Sequence, residues 1–151
     1  MLHIPSSTDL GEADLTVAGL HLWVDGRQNP ESNDYYDGNW LRVTAHCYAS
    51  RASVWAQGAI LMATDIAGFG NECAAMLNGQ RKSVVLNPFE PEIKVSLEAS
   101  DRAGHIRAKV EITPDHLLQA HRFKFEIDQS YLPGIIKQCS DIVQVYQIRG
   151  E

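Results

Sequence analysis

The chain has 151 residues, 44% hydrophobic and 21% charged, with a formal net charge of −6. A chain of that length can enclose one core within one domain, 1–151, and the composition excludes fibrous and intrinsically disordered classes. No stretch approaches the roughly 18 apolar residues that cross a bilayer, and the opening MLHIPSSTDL lacks a basic start and a long apolar run, which points to a cytoplasmic protein that is neither exported nor membrane-bound.

In chain order, Leu15–Val24, Leu41–Tyr48 and Val54–Met62 are strand-like, with apolar or aromatic residues on both faces, as expected of central strands covered on both sides. Between the first two lies DGRQNPESNDYYDG, residues 25–38, a polar connection rich in turn formers and without periodicity. A short helix is expected from Asp65 to Leu77, capped by Thr64 and stopped by Asn78-Gly79, although Gly68 and Gly70 weigh against it. Ser83–Leu86 reads as a short strand.

The later half alternates cleanly. In PEIKVSLEAS, Ile93, Val95, Leu97 and Ala99 share one face, and in GHIRAKVEIT, Ile106, Ala108, Val110 and Ile112 do the same. Ser100 to Gly104 has turn chemistry at hairpin length, so the two strands should pair antiparallel, and HRFKFEID supplies a third with Phe123, Phe125 and Ile127 inward. From Ser130 to Tyr146 the apolar period changes to three and four, giving a long amphipathic helix capped by Asp128 or Ser130, with Pro133 in its first turn. Strands and helices are grouped and not alternated. The expected class is therefore α+β, a mostly antiparallel, sandwich-like twisted sheet of six or seven strands with a short middle helix and a long C-terminal helix.

Catalytic constellations are hard to assemble from this order. His3, His21, His46, His105, His116 and His121 lack the close spacing of metal ligands, and adjacent His46 and Cys47 point to opposite faces of a strand. Cys47, Cys73 and Cys139 each sit among apolar neighbours, as buried thiols of a reducing compartment do. There is no nucleophile elbow, and Gly68-Phe69-Gly70 lacks the third glycine of a phosphate loop. The carboxylates of the later strands are interleaved with Lys and Arg, the pattern of a solvated face. No catalytic residue, metal or cofactor is assigned.

Acidity is concentrated at the front. Residues 1–50 carry seven acids against Arg27 and Arg42, a net of −5, leaving −1 for residues 51–151. Such a surface repels nucleic acid and attracts a basic protein. Glu31, Asp34, Tyr35, Tyr36 and Asp37 combine carboxylates with rings that give large contact area at small entropy cost, so they are the candidate partner-binding residues. Trp40 is expected to plug the core behind an Asp37-Gly38 turn. A second reading is a small-ligand domain with an apolar pocket lined by Trp23, Trp40, Trp55 and Phe69.

The order of motifs resembles the WapI family of immunity proteins from bacterial polymorphic toxin systems. The similar stretches are YDGNWL (Tyr36 to Leu41), ATD (Ala63 to Asp65), NPFEPEIKVSLE (Asn87 to Glu98), FEIDQSYL (Phe125 to Leu132) and VYQIRG (Val145 to Gly150). The resemblance implies a non-enzymatic cytoplasmic protein that binds and neutralises a cognate toxin C-terminal domain, such as a basic nuclease.

Overall fold

The computed structural model describes residues 10–150. Among the described residues, eight strands form two four-stranded antiparallel meanders. The first sheet is β1 (Leu15–Val17), β2 (Leu20–Arg27), β3 (Trp40–Ala49) and β4 (Ala52–Met62), in that order. Helix α1 (Ala63–Leu77) follows directly. The second sheet is β5 (Ser83–Leu86), β6 (Ile93–Ala99), β7 (His105–Ile112) and β8 (Arg122–Asp128), and helix α2 (Leu132–Val145) closes the chain. The chain thus runs twice through four strands and a helix. The α+β class and the antiparallel pairing match expectation, but there are two sheets and eight strands where one sheet of six or seven was expected.

The extra strand comes from Leu15–Val24, which breaks into β1 and β2 at Ala18, whose φ of 53° reverses the chain. The second sheet follows the sequence pattern closely. Ile93 pairs with Ile112, Ile106 with Ile127 and Val110 with Phe123, so each strand turns its apolar alternation inward. In the β6–β7 turn the Asp101 carboxylate accepts from the Ala103 N–H at 2.8 Å and pairs with His105 Nδ1 at 2.6 Å.

One core cluster draws on both sheets and both helices, including Leu22, Val43, Ile66, Phe69, Val95, Val110 and Ile135. The helix start is corrected: α1 begins at Ala63, and the Asp65 carboxylate, not Thr64, reaches back to accept from the Met62 N–H at 2.8 Å. Gly70 explains one of the helix glycines, because a Cβ there would lie 2.8 Å from Cys139 Cβ on α2, so the glycine lets the two helices approach. Asp128 caps the 3-10 turn Gln129–Tyr131 that leads into α2, accepting from the Ser130 N–H at 2.8 Å. The free edge of β1 is covered by α2, where Gln138 Oε1 accepts from the Thr16 N–H at 3.0 Å. Among the described residues no helix is long and apolar enough to cross a membrane.

Candidate functional site

The connection between β2 and β3 is ordered by residues far from it in sequence. Asn39 is completely buried and uses its whole amide: Nδ2 donates to Tyr35 O at 2.6 Å and to Arg149 O at 3.0 Å, while Oδ1 accepts from the Arg149 N–H at 2.9 Å. Arg149 Nη1 in turn donates to Pro30 O at 2.7 Å and to Ser32 O at 2.8 Å. From below, Arg27 Nη1 donates to Gly38 O at 2.7 Å, and Nη2 donates to Gln147 O. Burial first and the neighbouring Arg149 second lower the Arg27 pKa. Two guanidiniums and one amide therefore clamp a loop that has no secondary structure beyond the 3-10 turn Asp37–Asn39.

The clamp presents the acidic, tyrosine-bearing stretch to solvent. Glu31, Asp34 and Asp37 are exposed, and Tyr35 and Tyr36, 40% and 60% exposed, meet edge to face with centroids 5.1 Å apart. Asp34 also has a structural task, since Oδ2 accepts from the Tyr36 N–H at 3.0 Å and from the Asp37 N–H at 3.1 Å. A rigid knob with two rings and free carboxylates is suited to docking a basic surface, because little ordering is left to do on contact.

A second feature occupies the outer face of the first sheet. Strand pairing sets His21 on β2 opposite His46 on β3, and His46 opposite Trp55 on β4. Trp23 and Tyr48, two residues along, complete a closed circuit of five rings: Trp23–Trp55 at 6.2 Å, Trp55–His46 at 4.0 Å, His46–Tyr48 at 5.2 Å, Tyr48–His21 at 5.4 Å and His21–Trp23 at 6.3 Å, all with interplanar angles of 27° or less. Trp23 Nε1 donates to Gly11 O at 3.2 Å, and His46 Nε2 lies 2.6 Å from Ser53 Oγ. The His46 pKa is lowered, first by burial and second by the neighbouring His21, which favours the neutral ring. Beside the circuit runs a groove of about 710 Å³, whose lining includes Glu12, His21, Tyr48 and Arg51.

This geometry stands on a chain whose residues 13–147 match the family model described as the Immunity protein WapI-like family. The chain belongs to the WapI-like immunity protein family. No curated protein matches it. Among solved structures, the Trypanosoma bruciei MRP1/MRP2 crystal structures align with it at 12% identity over 85% of this chain and 76% of that one, with a TM-score of 0.45.

Family membership agrees with the motifs, but the structure reassigns several side chains within them. Trp40, expected as a core plug, is half-buried at the start of β3, and the buried anchor is its neighbour Asn39. The family stretches YDGNWL and VYQIRG turn out to be two sides of one clamp, joined by Asn39 and Arg149. The expected pocket of Trp23, Trp40, Trp55 and Phe69 does not assemble: Trp23 and Trp55 stack on the outer face, whereas Phe69 is buried in the core with 1% exposure. The strands of the first sheet are not covered on both sides either, since Tyr48, Ser53 and Gln57 on the outer face are exposed. The ring circuit was missed by sequence reading, though its signal was present in the alternation His21-x-Trp23 and His46-x-Tyr48. Among the described residues no three His, Cys, Asp or Glu side chains converge as a metal site. Burial pushes the thiols of Cys47, Cys73 and Cys139 up to about 12.

Proposed function

We propose that this chain is the immunity partner of a bacterial toxin domain, which it binds and neutralises in the cytoplasm without catalysing a reaction, and that Glu31, Asp34, Tyr35, Tyr36 and Asp37 take part in the contact. The family match over residues 13–147 carries this reading. The clamped loop supports the assignment of residues, because it holds two exposed tyrosines and three carboxylates in one fixed arrangement. With a net of −5 in residues 1–50, the surface suits a basic toxin domain such as a nuclease, attracted over distance and held by the rings.

The test is co-expression with the C-terminal toxin domain encoded beside this chain. Protection of growth and a complex on size exclusion are expected, and absence of both refutes the immunity reading. For the contact residues, Glu31→Lys with Asp37→Lys is the informative pair, since Asp34 caps the loop and its replacement would disturb the fold. The charge reversal should slow association at low salt and approach the wild-type rate at high salt. An unchanged rate at low salt places the contact elsewhere.

A further inference from the structure

The end of the second sheet at which β6 begins and β7 ends carries three large apolar side chains in open solvent. Ile93 pairs with Ile112 there, so residues 87–92 and residues 113–121 rise from neighbouring strands about 5 Å apart. Phe89 in the first loop is 76% exposed, and Leu117 and Leu118 in the second are 82% and 84% exposed. The core does not need them, because Pro88, Ile93, Ile112 and Thr113 are the buried residues at the base of these loops. Single exposed apolar residues are ordinary on a soluble surface, whereas several at one place mark an interaction site. We propose that this tip is a docking element that enters an apolar recess rimmed by Lys and Arg on the toxin domain, a contact that rests on the immunity reading above and gives it a second anchor outside the clamped loop.

The leucines are held outward by their own turn. Asp115 Oδ1 accepts from the Leu117 N–H at 3.1 Å, and Asp115 O accepts from the Leu118 N–H at 3.2 Å and from the Gln119 N–H at 2.9 Å. At the base, the Thr113 N–H donates to Glu92 O at 2.8 Å and ties the two loops together, while the Ile112 N–H donates to His121 O at 3.2 Å. Pro88, Pro91 and Pro114 remove further backbone freedom. Little ordering is left to do when a partner arrives, which keeps the entropy lost on binding small.

Charge selects the partner. Residues 87–92 and 113–121 include Glu90, Glu92 and Asp115 and no Lys or Arg. The first outward row of the sheet behind them, Lys94, Glu111 and Arg122, has two bases against one acid, so this end of the molecule stays at a net of −2 with its histidines neutral. Two copies meeting tip to tip would bring their carboxylates together, and nucleic acid or an anionic bilayer would be repelled. The partner that fits is a protein surface apolar at the centre and basic at the rim, in which the rings and leucines fill the recess and the rim steers the encounter. Residues 1–50 carry the same sign of charge, so one basic toxin domain suits both contacts.

The experiment measures association and dissociation rates of the toxin domain encoded beside this chain, in catalytically inactive form. Its targets are wild type, Phe89→Ala, the double variant Leu117→Ala with Leu118→Ala, and Glu90→Lys, with melting temperatures alongside. Because the three apolar side chains lie in solvent, their truncation should leave the melting temperature unchanged, and since they occupy two loops a folding defect in one variant leaves the other as a probe. Expected are at least tenfold weaker binding for the leucine pair and several-fold weaker binding for Phe89→Ala, both through faster dissociation, and slower association at low salt for Glu90→Lys. Wild-type affinity in both apolar variants, with wild type still binding and protecting, overturns the tip and leaves the immunity reading intact. Unchanged association of Glu90→Lys at low salt overturns the basic rim. A wild-type dimer that dissociates in the leucine variant, with toxin affinity unchanged, assigns the tip to a second copy and also overturns the proposal. If wild type neither binds nor protects, both readings fall together.

Discussion

Replacing Asn39 with alanine should undo the clamp between the β2–β3 loop and the C-terminal segment. The side chain makes three hydrogen bonds, two of them to Arg149, and is fully buried. At about 1 kcal/mol net for each bond, with some further cost for backbone groups left without partners, the loss should be about 3–4 kcal/mol. Against a typical total of roughly 5–15 kcal/mol this is a large fraction. Urea unfolding at constant slope measures it, and amide exchange should accelerate across residues 29–39 and 147–150 together. Gly150→Ala attacks the same junction from the other side, since φ is 75° and a Cβ would lie 2.5 Å from the Tyr35 nitrogen. The two changes share one interaction, so their combined cost should be smaller than the sum. A loss below about 1 kcal/mol for Asn39→Ala, or unchanged exchange in both segments, refutes the clamp.

Acid should weaken the protein partly through His46. Its folded pKa lies below the ordinary value of about 6.5, so the neutral ring is favoured on folding and stability falls as pH drops from about 6.5 through the lowered value. His46→Gln should therefore flatten the decline of melting temperature between pH 7 and pH 5, and an identical decline in both proteins counts against the burial of the ring. The three thiols, buried and pushed up to about 12, should resist alkylation at pH 8 in the native protein and all react in denaturant, as mass spectrometry can count.

The part of the fold legible in the sequence is the part with one wet face. Strands β6, β7 and β8 alternate charged and apolar residues, so their faces and the intervening hairpin could be read from spacing alone. The first sheet resisted because its outer face bears His21, Trp23, His46, Tyr48 and Trp55, which look like core residues in a one-dimensional pattern. A ring on an open face and a ring in the core have the same sequence signature. The split of Leu15–Val24 had one local mark, Gly19, which forms the turn together with Ala18 and was passed over because apolar residues flank it on both sides.

The acidic, tyrosine-rich loop was visible as a candidate from composition, but its order was not. Asn39 and Arg149 are 110 residues apart, and nothing local marks either as a partner for the other. Residue identity thus determined the class of the fold, the amphipathic helices, the thiols of the core and the chemistry of the loop, because these depend on short-range periodicity and side-chain polarity. Only the tertiary structure decided that Asn39 and not Trp40 is buried, that a polar connection is rigid, and that five rings from three strands share one face. Those outcomes depend on long-range contacts, which form only when the strands pair and the C-terminal segment returns to the first sheet.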